Sequence, residues 1–328
     1  MPTRHDLKLI ELLESQSNKW GARMSLLTRD AEKGLTRFFV DAQKNKRLAL
    51  LGFLDSLDVD ANGFIVDSGK NRAELAKAMR GMRVAGVTEF GPDSSFAKYV
   101  DRQYNRAAKL GVSHTKAAYR LGEGKRLPRG FSPPTAGIVT QARGTLLRHL
   151  VDRTDTDVKI VRDSVLRRVF DPTGNVPQLR ADLLRRGQLE GMLDSAGRRI
   201  TASERADRIA RFEFPEVSTR AHQKSVDGIY NDGKQDPKNT WYLWNQIQDG
   251  RKSKSHFKRH GEVLTEFQWA TKSWGDKQKG LPPTRPRCRC NATHVRPEWF
   301  SKDTREKVFN AQTGLSTTVQ DVKPSKAK

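Results

Sequence analysis

The residues best suited to chemistry lie near the C-terminus. His256 and His260, four apart, and Cys288 and Cys290, one residue apart, offer two nitrogens and two thiolates. That is the donor count of a tetrahedral structural zinc site, and His294 could replace either histidine. The competing reading needs no metal: Asp249 pairs with Arg289 or Arg251, the cysteines serve as small buried hydrophobes, and the histidines belong to a DNA-facing loop. A bridge between Cys288 and Cys290 would be strained, so a disulfide framework is not expected. Apart from this zinc, nothing in the sequence implies a cofactor.

The same segment concentrates charge. Residues 251–260 hold five cations and no acid, namely Arg251, Lys252, Lys254, Lys258 and Arg259, with Phe257 among them. Cations at this density suit phosphate contact, and the ring can stack or anchor the loop. Arg162, Arg167 and Arg168 cluster on one helical stretch, where solvation is the simpler explanation. The whole chain carries a formal charge of +23, and the excess is uneven: residues 1–60 hold 10 basic and 9 acidic side chains, the remainder 51 and 29. A polyanion therefore fits as partner, with double-stranded DNA bound without sequence preference. The near-neutral first helices are left for protein.

Catalysis has weaker support. Phosphodiester cleavage needs clustered carboxylates or a metal constellation, and the acids are scattered. There is no phosphate-binding loop of the Walker type, no Gly-x-Ser-x-Gly and no His-Glu-x-x-His. Asp249 with His256 and His260 is the nearest approach to a metal-dependent nuclease, which stands as the alternative from another class. No small-molecule substrate is indicated.

The elements that must position these residues follow from periodicity. The fold class expected is α+β: a mainly α-helical N-terminal region at 1–121, a Gly- and Pro-rich linker at 122–134, a helical plus small-sheet, loop-rich domain at 135–310, and a basic disordered tail at 311–328. With 30% charged and 35% apolar residues, helices with wide solvated faces and an elongated molecule are expected. Apolar stripes predict helices over 6–57, broken at 15–18, then over 71–82, 95–110, 135–151, 157–170, 178–184 and 188–193. Residues 58–63 resemble half of a calcium loop, but Gly69 stands where the closing Glu belongs, so a polar turn is preferred. Thr201 with Glu204 forms a capping box that opens a helix over 202–212. Residues 240–244 suit a strand. Trp241, Trp244, Trp269 and Trp274 are expected to build a core rather than a ligand cage. No run is apolar enough to span a membrane, and the opening residues lack the apolar core of a secretory leader.

Three groups of residues then fall in a fixed order. Arg205, Arg208-Ile209-Ala210-Arg211 and Glu216 come first; Trp244, Asp249-Gly250-Arg251, His256 and Gly261 follow; Pro282-Pro283, Arg285-Pro286 and Cys288-Arg289-Cys290 close the set. Over about 160–295 this order resembles the phage Mu F-like minor head protein family, also called phage head morphogenesis proteins. The resemblance marks Arg211, Asp249, Arg251, His256, Gly261, Cys288, Arg289 and Cys290 as structural motif positions. Some positions depart from it. Phe212 stands before Glu213 where the family has Thr, Ser253 and His256 replace a Cys-x-x-Cys, and Arg285 replaces a His.

What the resemblance implies is a non-enzymatic minor capsid protein of a tailed bacteriophage, present in few copies. It would sit inside the head or at the portal vertex of the virion, after assembly in the host cytoplasm. Its partners would be DNA and the portal and/or major capsid protein, and its role head assembly or genome delivery. A cellular nucleic-acid-binding module would explain the charge but not the ordered motifs.

Overall fold

The computed structural model describes residues 3–127, 131, 135–169, 171, 173–189, 192–193, 198–230, 238–245, 261–271 and 290–309. The expected mainly helical α+β fold is what it shows. The helices are α1 (Arg4–Asp55), α2 (Gly69–Phe90), α3 (Ser95–Glu123), α4 (Thr135–Val169), α5 (Val176–Arg185), α6 (Ala202–Tyr230), α7 (Glu266–Thr271) and α8 (Lys302–Val308). The strands are β1 (Met192–Leu193), β2 (Arg199–Ile200), β3 (Trp241–Asn245), β4 (Val263–Thr265) and β5 (Asn291–Val295).

Several boundaries differ from expectation, each for a local reason. Helix α1 does not break at residues 15–18, because Ser17 is buried and its hydroxyl donates to the Asn291 side chain. The polar interruption is thus a contact. Helix α4 likewise runs through residues 152–156, where Thr154 and Thr156 donate to the carbonyls of Leu150 and Asp152 and satisfy themselves within the helix. Among the described residues of 188–193, none is helical. Arg186 caps α5, Gly187 follows at φ +68°, and Met192 then pairs with Ile200 in the β1–β2 hairpin. The Thr201–Glu204 box is present, with Glu204 N–H donating to Thr201 Oγ1 at 3.1 Å and Thr201 N–H donating back to Glu204 at 2.7 Å. Helix α6 continues well past residue 212, carrying Pro215 inside it. Residues 58–66 form a turn in which Asp60 Oδ1 accepts from the backbone of Asn62 and Phe64, both at 2.9 Å, and Gly63 takes φ +81°.

The chain divides into two compact units that interleave along the sequence: residues 30–102 with 141–207, and residues 1–29 with 103–140 and 208–328. In the first, Leu50 and Leu54 of α1, Leu75 of α2, Val161 and Val165 of α4 and Leu183 of α5 meet in one apolar cluster. Its polar interior is paired. Asn71 accepts from Asp58 N–H at 2.7 Å and donates to the Asp58 and Val66 carbonyls, which locks the 58–66 turn onto α2. Arg168 binds Asp182 through Nε at 2.8 Å and also reaches Asp171. Arg162 lies beside Asp163 at 3.0 Å. These ion pairs show what two of the three clustered arginines of α4 do.

The second unit holds the sheet, ordered β4-β3-β5 and antiparallel throughout. Side chains alternate across β3. Trp241 and Leu243 face Leu9, Ile10 and Leu13 of α1 together with Val295, Phe300 and Phe309; Tyr242 and Trp244 face Leu264, Trp269, Cys290 and Ala292. Both faces are therefore covered, and all five β3 residues are buried.

Asp6 ties the start of α1 to this unit. Thr3 and Asp6 exchange backbone-to-side-chain hydrogen bonds, and the fully buried carboxylate also accepts from Ser301 N–H at 2.9 Å, the Ser301 hydroxyl and Thr304 Oγ1 at 3.0 Å. Burial alone would raise its pKa; the hydrogen bonds from Ser301 and Thr3 outweigh it and bring the value down to about 2. Asp6→Ala should cost about 2–3 kcal/mol in urea unfolding, because several donors lose one charged acceptor. Since the folded pKa is lowered, the contribution of Asp6 is full above pH 4 and fades as pH drops toward 2.

Candidate functional site

Three of the described motif residues, Trp244, Gly261 and Cys290, gather at one end of the sheet. Trp244 and Asn245 end β3, Cys290 precedes β5, and Asn245 registers with Asn291. Gly261 enters β4 at φ +87°, a conformation open to glycine, and donates its N–H to the Trp244 carbonyl at 2.9 Å while Trp244 N–H donates to the Glu262 carbonyl at 2.8 Å. So Trp244, Gly261 and Cys290, distant in sequence, are neighbours through backbone pairing. Cys290 is buried in the cluster with Tyr242, Trp244 and Trp269. The tilted rings of Trp244 and Trp269 pack at 4.8 Å between centres, and Trp241 is also buried. Three of the four expected tryptophans thus form core; Trp274 lies outside the described residues.

Asp249, Arg251, Lys252, Lys254, His256, Lys258, Arg259, His260, Cys288 and Arg289 lie outside the described residues as well. Arg211 sits half-buried on α6. Two residues on, Glu213 meets Tyr104 Oη at 3.4 Å beside the edge-on rings of Tyr104 and Phe214. Burial, then the nearby charge of Glu216, raises its pKa to about 6, against the Tyr104 hydrogen bond and Arg220. Among the described residues no three His, Cys, Asp or Glu side chains converge as a metal ion requires.

What sequence reasoning missed is a buried polar lattice between α1, α3, α6 and the sheet. Edge strand β5 turns the His294 N–H outward, and His222 Nε2 of α6 accepts it at 3.1 Å. That acceptor role fixes the tautomer. His222 Nδ1 must carry the proton and donate to Thr115 Oγ1 at 2.7 Å, while the Thr115 hydroxyl donates to the Gly111 carbonyl at 3.1 Å. His114 Nε2 lies 3.0 Å from Thr293 Oγ1, which also accepts from Asn245 Nδ2 at 3.0 Å. Trp20 Nε1 donates to Ser218 Oγ at 3.1 Å, and Asn291 donates to the Ser17 carbonyl at 3.2 Å.

The histidine rings are held neutral. Burial lowers His114 to about 4; burial followed by the neighbouring Arg296 charge lowers His294 to about 3; burial, then His114 and His294, push His222 well below the usual imidazole range. His294, considered above as a replacement zinc ligand, is packed between the rings of Tyr230, Tyr242 and Trp299 at 5.0–5.8 Å. A neutral, hydrogen-bonded imidazole can pin an edge strand to a helix. The only trace of this in the sequence is that His114 and Thr115 share the buried stripe of α3 with Ala107, Ala108, Gly111 and Ala118.

Residues 177–293 match the family described as Phage Mu protein F like protein, a stretch running from α5 into β5. Over this segment the chain is similar to the phage Mu F-like family. No match was found among curated proteins or among solved structures.

Proposed function

We propose that the protein is a minor capsid, head morphogenesis component of a tailed bacteriophage that acts without catalysis. It works inside the head or at the portal vertex, touches the portal and/or major capsid protein, and holds packaged DNA without reading its sequence. The observation that carries this reading is the family match over residues 177–293, which spans the segment where the ordered motif positions Arg211, Trp244, Gly261 and Cys290 stand. The local architecture supports it. In that segment histidine, asparagine and tryptophan side chains are spent on closing a small sheet against helices, as a docking unit requires, and the buried His222 is a poor proton carrier near neutrality. No helix of the described residues is long and apolar enough to cross a membrane. The cations Arg251, Lys252, Lys254, Lys258 and Arg259 supply one DNA-holding surface.

Deleting the gene from the phage that encodes the chain tests the proposal. Heads should then form in lower yield or deliver their DNA poorly, with normal production restored from a plasmid copy. Unchanged head yield and unchanged infectivity would contradict it.

A further inference from the structure

A second strongly basic surface lies away from the family segment, at the end of α3 and in the residues that follow it. The last two turns of α3 and the residues after it line an open groove of about 630 Å³. Lys116, Arg120, Lys125 and Arg126 all face it, with Leu121 and Phe131 on its apolar side, and no acid lines it. Lys116 and Arg120 share a helix face, one turn apart. Gly124 then ends α3 at φ +65°, its N–H donating to the Arg120 carbonyl at 3.1 Å. This turn carries Lys125 and Arg126 back to the same groove.

A helix C-terminus favours nearby cations, which accounts for Arg120 and the residues after it. It does not account for Lys116, two turns before the end, nor for the concavity. The nearest acid in sequence, Glu123, is directed elsewhere, accepting from Arg296 Nη1 at 3.1 Å and Trp299 Nε1 at 2.9 Å. Among the described residues none of the four cations is paired with an acid. Phe131 is seated against α6, where Gly228 leaves room: a Cβ there would lie 3.2 Å from the ring. Among the described residues the groove is thus an arrangement of positive charge without acidic partners, with an aromatic wall.

We propose that this groove is a nucleic-acid backbone site in which Lys116, Arg120, Lys125 and Arg126 each meet a phosphate, independently of the 251–259 loop. A polyphosphate is the partner because its repeating charge matches cations one turn apart and because counterion release rewards each contact. The proposal rests on the DNA-holding reading above but names a different part of the chain.

The test uses the full-length protein, a fluorescent duplex of arbitrary sequence and a salt series. Replacing Lys116, Arg120, Lys125 and Arg126 with alanine should make the slope of log affinity against log salt shallower by about 3.6. Replacing Arg251, Lys252, Lys254, Lys258 and Arg259 should add a separate loss. The charge-keeping pair Lys116→Arg with Arg120→Lys should retain the original slope, which separates contact from folding. Duplex binding by the parent protein with an unchanged slope in the alanine variant overturns the groove and leaves the DNA-holding reading standing. No binding by the parent protein at low salt overturns both. Displacement of the duplex by polyglutamate as readily as by DNA of equal charge would make the groove a dock for acidic protein, and would also overturn the proposal.

Discussion

Acidification from pH 7 to pH 5 should remove about 6 kcal/mol of folding stability, enough to unfold the sheet-bearing unit under mild conditions. The cause is the trio His114, His222 and His294, each buried and held neutral in the fold. The folded pKa of each is depressed, so its contribution is complete above the ordinary imidazole value of about 6.5 and is lost as pH falls below it. Below that value the unfolded chain takes up protons that the folded chain refuses. One such group changes stability by about 1.4 kcal/mol per pH unit, and three give about 4 kcal/mol per unit over the window between pH 6 and 4. Domain stabilities are about 5–15 kcal/mol, so this slope dominates. Urea unfolding at pH 7.5, 6 and 5 measures it. His294→Phe, which keeps a ring between Tyr230, Tyr242 and Trp299, should reduce the slope by about a third. A pH-independent midpoint would show that these rings do not have the surroundings described.

The second large effect has the opposite sign to the one helix propensity gives. Gly111 lies inside α3, and alanine in a helix interior is worth about 1 kcal/mol over glycine. Here a Cβ would sit 2.0 Å from the Ser218 carbonyl oxygen of α6 and 3.1 Å from Ala221 Cβ. The obstacle is backbone, which cannot rotate aside. Gly111→Ala should therefore destabilise by about 2–4 kcal/mol net, since overpacking forces the helices apart. It should also weaken the hydrogen bonds of Thr115 with His222, which depend on that close approach. Denaturant midpoints compare the variants directly; a stabilised Gly111→Ala would mean that α3 and α6 do not touch at Gly111.

These two effects show where a sequence reads easily and where it does not. The Thr201 cap, the strand at β3 and the tryptophan core were legible, because each depends on residues adjacent in sequence or on a large apolar ring with few other uses. Helix continuity was less so. Ser17 reads as a break only until Asn291, 274 residues away, is seen to satisfy it. The residue 188–193 segment has helical composition, yet Gly187 takes the left-handed region after the α5 cap and Met192–Leu193 pair with Arg199–Ile200. The buried histidines were invisible for the same reason as Ser17: an isolated imidazole acquires its role from partners on other elements. The groove on α3 escaped because charge counted along the chain averages over faces, and its four cations share a stretch with acids such as Glu123 that point elsewhere.

Under the proposed function, the family segment would hold the protein in a phage head while the α3 groove holds the genome through contacts that need only phosphates. The most direct test of that function is to quantify this chain by mass spectrometry in purified, DNA-filled heads after washing away external proteins. The account predicts a few copies per head, retained through the wash. A chain found only in the soluble fraction of infected cells, and missing from heads, would contradict it.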